Sequence, residues 1–163
     1  MPDLLVPLYR LPEVDLTFPA LRSTGVIVRR ANPWELTPTR ALIERHFATS
    51  WADEATVGFA NKPVSVWIAV KDGQIIGFAA HECTRRNFFG PTGVADSARG
   101  RGIGAALLLA CLHDQRALGY AYSVIGGAGP VEFYKRHCGA VEIAGSVPGI
   151  YVDLLKKPAP SST

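Results

Sequence analysis

The residue pattern is that of an α/β chain, with strands and helices interleaved along one domain. Three stretches carry this reading. In the first, Val64, Val66, Ile68 and Val70 alternate along one strand face. Asp72-Gly73 then supplies a two-residue turn of the kind that needs positive φ, and residues 74–82 return as the partner strand. In the second, a strand-like run over 88–94 leads to the turn Arg99-Gly100-Arg101-Gly102-Ile103-Gly104, which opens an apolar helix over 103–118. In the third, residues 120–125 make a strand apolar enough to lie centrally in a sheet. It is followed by the side-chain-poor connection Gly126-Gly127-Ala128-Gly129-Pro130 and a short helix over 131–137.

The remaining elements follow in order. Residues 1–24 read as an extended arm: Pro2, Pro7 and Pro12 oppose a helix, while Leu4, Leu5, Val6, Leu8 and Tyr9 give the arm something to bury. It is free to pack on its own domain or on a neighbouring subunit, which leaves a homodimer open. Residues 25–30 form a short strand. Thr37-Pro38 reads as an N-cap with a first-turn proline, starting a helix that runs toward Ser50, and a shorter helix follows over 52–60. In the helix over 103–118, Ile103, Ala106, Leu107, Ala110 and Cys111 recur at helical spacing. Leu108, Leu109 and Leu112 make its first half apolar nearly all round, so it should be buried on more than one side. Gly119 is the expected C-cap. Strands over 141–143 and 150–155 close the domain, and 156–163 is a polar, proline-containing tail expected to be loose.

A chain of 163 residues is long enough for one domain with a sizeable core. The net charge of +3 is mild, and the basic residues are scattered except at Arg85-Arg86 and Arg99/Arg101. That distribution suits a compact polyphosphate and excludes nucleic acid as the expected partner. Cys83, Cys111 and Cys138 lack metal-ligand spacing, so no metal is expected, and Cys111 belongs to the apolar face of the central helix. The proline-broken N-terminus is not a signal peptide, and no apolar run reaches the ~20 residues of a membrane span. The expectation is a cytoplasmic protein that does not enter a membrane.

The turn over 99–104 carries the chemistry. Strand, glycine-rich turn, then helix presents bare backbone N–H groups to an anion. No Ser, Asp or Asn stands where the helix would be capped, so the first-turn donors are left for a ligand. A dinucleotide loop has a different glycine phase and needs an acid after the next strand, where this chain has Ile125-Gly126-Gly127. The kinase-type loop needs Gly-Lys-Ser/Thr, which does not follow. Arg99-x-x-Gly102-x-Gly104 resembles the pyrophosphate loop of the GNAT superfamily of acyl-CoA-dependent N-acetyltransferases. Downstream, Phe133-Tyr134-Lys135-Arg136-His137-Cys138-Gly139 is similar to that superfamily's Phe-Tyr segment followed by glycine. The resemblance covers about residues 25–155. It implies a GNAT fold, a mixed and mostly antiparallel sheet of about six to seven strands flanked by helices. The chain departs from the pattern at Gly127, where many members carry Asn, and at Pro130 and Ala140.

The resemblance implies direct attack of a small-molecule primary amine on the thioester of acetyl-CoA, the co-substrate. Gly93, Val94 and Ala95 match the strand end that meets the acetyl group and pantetheine, with the Val94 N–H as oxyanion donor. Gly93 within a strand also suggests a bulge that would free such groups. Gly100, Arg101, Gly102, Ile103, Gly104 and Ala105 would hold the pyrophosphate, with Arg99 and Arg101 as side-chain partners. Tyr134 matches the general acid: a phenol with a pKa of about 10 can protonate a thiolate whose conjugate acid is near about 8.5. Glu82 is the expected general base. His81 is the second candidate, and since consecutive strand residues face opposite ways at most one of the two faces the cleft; a water relay without a dedicated base is the other alternative. Glu82, Arg85, Arg86 and Asn87 offer mixed polar contacts and favour an amino sugar over a polyamine or amino acid as acceptor. A non-catalytic acyl-CoA-binding regulatory module is the alternative. Gly127 leaves it open and Tyr134 opposes it.

Overall fold

The computed structural model describes residues 1–155; the tail expected over 156–163 lies outside the described residues. From the N-terminus the elements are β1 (Leu4–Pro7), α1 (Pro19–Arg22), β2 (Val26–Arg30), α2 (Leu36–His46), α3 (Thr49–Ala60), β3 (Val66–Lys71), β4 (Gln74–His81), β5 (Phe88–Val94), α4 (Ile103–Ala117), β6 (Tyr122–Ile125), α5 (Val131–Cys138) and β7 (Val141–Glu142). They form one seven-stranded sheet in the order β2-β3-β4-β5-β6-β1-β7. Every neighbouring pair is antiparallel except β5 and β6, which run parallel. The Asp72–Gly73 turn joins β3 to β4 with both residues at positive φ, 49° and 73°, as its composition requires.

The N-terminal arm is corrected most by the structure. Its strand β1 lies inside the sheet, pairing with β6 on one side and β7 on the other. Leu4, Val6 and Leu8 are fully buried in the core under α4. The arm continues across α4, where the Pro12 carbonyl meets His113 Nε2 at 3.0 Å and Glu13 pairs with Arg116 at 3.1 Å. Leu4, Val6 and Leu8 are thus used by its own domain, while Tyr9 stays exposed. Residues 150–155 do not form the strand expected of them; the pairing edge of β1 is taken by the two-residue β7 instead.

The start of α2 also differs. The cap is Asn32, not Thr37, and Pro33 opens a short 3₁₀ turn that runs into the helix. Asn32 and Glu35 form a reciprocal capping box, while Thr39 turns inward and donates to the Glu35 carbonyl at 2.7 Å. The Arg29 guanidinium grips Glu35 through two bonds of 2.8 and 2.6 Å, and this lowers the Glu35 pKa to about 2. Because the folded-state pKa is depressed, the stabilisation is present above the unfolded value of about 4.3 and is lost as pH falls through about 2. Glu35→Gln should therefore cost about 1–2 kcal/mol at neutral pH after solvent screening. That difference should shrink toward zero between pH 4 and pH 2 in urea titrations of the two proteins.

The sheet has two buried faces. Ile43, Ala52, Ala55 and Phe59 of α2 and α3 cover Val66, Ile68, Phe78 and Ala80. Alternate residues of the same strands, Trp67, Ala69 and Ala79, face α4, whose Leu107, Leu108, Leu112 and Cys111 are fully buried. The apolar girth of α4 follows from being covered by both the sheet and the arm. The helix ends at Ala117 with Leu118 as its C-cap, and the glycine expected to cap it, Gly119, lies one residue beyond at φ 95°.

Candidate active site

The two parallel strands stay paired only briefly. Phe88 meets Val124 and Phe89 meets Ile125, after which β5 continues alongside β4 while the chain beyond β6 turns away toward α5. A cleft of about 980 Å³ opens between them, lined from β5, the 99–105 turn, the 126–130 connection and α5. The β5 bulge falls at Gly90-Pro91, which together oppose Ala80, because Phe89 pairs with His81 and Thr92 with Ala79. Gly93 is in regular register with Phe78, so the bulge expected there is corrected. Its lack of a side chain serves another contact: a Cβ would lie 2.4–2.8 Å from three carbons of the Phe47 ring, which rests on it.

The open edge of β5 has its own chemistry. The Ala95 N–H donates to Ile76 of β4 at 2.9 Å. Successive N–H groups of a strand point to opposite edges, so the Val94 N–H faces the edge β6 has left. Ala95 itself is buried, its N–H is committed, and it does not line the cleft; its expected cofactor contact is corrected on that ground.

The turn into α4 presents its donors as expected. Gly102 is the N-cap at φ 79°, a left-handed conformation natural to glycine, and no side chain caps the helix. None of the N–H groups of residues 100–105 donates to a protein acceptor. They point out at the positive end of a 15-residue helix. Arg99 lines the cleft but is tied back, its Nε donating to the Val94 carbonyl at 3.1 Å and its guanidinium pairing with Asp96 at 2.9 Å. The Arg101 side chain is exposed and outside the cleft lining, which leaves this residue only its backbone N–H to offer.

Tyr134 lies across the cleft on α5, its ring edge-on to Phe89 and Phe133. Burial pushes its pKa up to about 12, so the phenol stays protonated at any physiological pH. Its hydroxyl makes no hydrogen bond to the protein.

Glu82 is not brought to this site. It lies past the end of β4 at φ 57°, and its carboxylate accepts from the Asn87 N–H at 2.7 Å, the Tyr120 hydroxyl at 2.9 Å and Gln115 Nε2 at 3.2 Å. It lines a separate cavity of about 450 Å³ with Arg30, His81 and Asp114. A carboxylate with these bonds holds the β4–β5 turn, and the general-base expectation is corrected. His81 faces α4, with Nε2 3.3 Å from Asp114. Arg85, Arg86 and Asn87 also lie outside the cleft lining, so the polar contacts that favoured an amino sugar are absent from it.

Five contributors were not legible in the sequence. Arg136 and His137 reach the cleft from α5, and Phe47 and Trp51 from the junction of α2 and α3. Asp3 acts from beneath: its buried carboxylate accepts the Gly127 N–H at 2.7 Å, its own N–H donates to Ser146, and its carbonyl accepts from Ile143. At Gly127, where no side chain is available, the acid just before β1 steadies the connection. Only the helical spacing of Phe133, Arg136 and His137 could have signalled any of these.

Residues 62–137, which carry β3 to α5 and nearly all of the cleft, match the family model of the GNAT acetyltransferase domain. That stretch is a GNAT acetyltransferase domain. Solved GNAT structures share the chain's fold at low identity. A GCN5-related glucosamine N-acetyltransferase region of a fungal multi-domain β-N-acetylglucosaminidase aligns over 87% of this chain at TM-score 0.69 and 18% identity. A GCN5-related N-acetyltransferase from Sphaerobacter thermophilus aligns over 87% at 0.67 and 19%. The chain spans only 19% and 48% of those two proteins. A GNAT family acetyltransferase from Brucella melitensis, solved with acetyl-CoA, aligns over 68% of this chain and 80% of its own at 0.54 and 21%. No curated protein matches the sequence. Among the described residues no helix is long and apolar enough to cross a membrane.

Proposed function

We propose that this protein moves the acetyl group of acetyl-CoA to the primary amine of a small molecule, by direct attack of the amine on the thioester. The observation that carries the proposal is the run of uncommitted N–H groups over 100–105, opening into the same cleft as the free edge of β5 and the Tyr134 hydroxyl. The N–H groups of Gly100, Arg101, Gly102, Ile103, Gly104 and Ala105 donate to the pyrophosphate, aided by the α4 dipole. Arg99 and Arg136 flank that position and add positive charge.

The N–H of Val94 donates to the thioester carbonyl oxygen as negative charge develops on it, a role worth about 3 kcal/mol in the transition state. Tyr134 gives its proton to the departing sulfur. Among the described residues no Asp or Glu lines the cleft, so no carboxylate there takes the proton lost by the attacking amine. The expected result with purified protein is saturable thiol release from acetyl-CoA that depends on added amine. Tight CoA binding without release under any amine would leave the chain a binding module instead.

A further inference from the structure

The cleft has two chemically distinct walls. The α4 and α5 side carries Arg99, Arg136 and His137 with the uncommitted N–H groups, and is suited to phosphate. Across from it, on the face of the sheet covered by α2 and α3, two stacked aromatic rings, Phe47 and Trp51, enter the lining. Phe47 lies on Gly93, one residue from the Val94 N–H, and wedges edge-on against Phe78 with ring centroids 5.8 Å apart. Trp51 stacks on the outer face of Phe47, centroids 5.7 Å apart and planes 20° from parallel, and remains 39% exposed. A rigid aromatic step therefore leads from solvent to the position where the thioester carbonyl would meet Val94. Neither ring of this wall carries a hydroxyl, and the nearby Thr92 hydroxyl of β5 is committed to the Phe78 carbonyl at 3.1 Å.

Resting on the transferase reading above, we propose that the acceptor is a primary arylalkylamine, its ring laid against Trp51 and Phe47 and its amino group directed at the carbonyl beside Val94. A flat apolar ring gains from burial and from offset contact with the indole. A cationic amine approaching over the indole face is also attracted to it, before it loses its proton. A sugar ring would bring several hydroxyls to a wall with no side chain free to pair them, and buried unpaired hydroxyls are unfavourable. A polyamine would bring several charges to a cleft whose lining, among the described residues, holds no carboxylate.

The test uses the full chain and follows thiol release from acetyl-CoA with phenethylamine, tryptamine, glucosamine and spermidine, alongside calorimetric CoA binding. The expected result is a kcat/KM for the two arylalkylamines at least about tenfold above glucosamine and spermidine. Trp51→Ala should raise KM for phenethylamine about tenfold with a much smaller change in kcat and a CoA Kd within about twofold of the parent. Trp51→Phe, which keeps a flat ring, should recover most of that loss. A preference for glucosamine or spermidine overturns the assignment, as does a KM indifferent to Trp51→Ala. CoA binding with no release from either arylalkylamine overturns the acceptor assignment alone. Absence of CoA binding overturns the transferase reading and this inference with it.

Discussion

Tyr134→Phe should lower kcat about 10²-fold while leaving the CoA Kd within about twofold, measured by thiol release and by calorimetry. The substitution removes one oxygen and keeps the ring, so the edge-on contacts with Phe89 and Phe133 persist. The hydroxyl has no protein partner, so its loss leaves no donor or acceptor orphaned in the fold, and thermal stability should be nearly unchanged. What disappears is the proton for the departing sulfur. The tyrosine pKa of about 12 adds a pH signature. The parent should show no descending alkaline limb from this group up to about pH 10, since the active form is the protonated one and persists below about 12. An unchanged kcat in Tyr134→Phe would remove this residue from the chemistry.

Gly104→Asp should separate ligand binding from folding, because its two effects have opposite signs. A Cβ at Gly104 would meet Phe133 at 3.7 Å and Val94 at 3.8 Å, ordinary contact distances, so the protein has room for it. A carboxylate in the first turn of α4 interacts favourably with the helix dipole, worth about 0.3–1 kcal/mol, and the melting temperature should hold or rise. The same carboxylate stands among the N–H groups assigned to the pyrophosphate and repels it. CoA affinity should fall about 10²-fold or more, and the loss should ease at high salt. If the glycines served only tight strand-to-helix packing, the result would be reversed: lower stability and intact CoA binding.

Much of this protein is local, and local features were readable from the residues. The Asp72–Gly73 hairpin, the span of α4 and its glycine stop follow from φ requirements and side-chain period, which neighbouring residues set without distant help. The anion turn is of the same kind, since an uncapped helix start with glycines needs only its own backbone to present N–H groups. Where two local signals competed, the sequence pattern misled: Thr37-Pro38 mimicked a cap that Asn32 and Glu35 make, because Arg29 from β2 holds Glu35 in place.

The other features depend on pairing across the chain. Strand β1 is inserted between β6 and β7, more than a hundred residues away, and nothing within 1–24 specifies that partner. Asp3 could not be read as the support of Gly127 for the same reason. Glu82 looked catalytic because late-strand carboxylates can face a cleft; its positive φ and three hydrogen-bond donors turn it away. The aromatic wall of the cleft is assembled from a helix junction and a strand edge, and Gly93 is glycine because Phe47 rests on it. Short-range geometry sets the elements and the phosphate-facing turn. Burial of side chains from distant segments sets which groups reach the cleft.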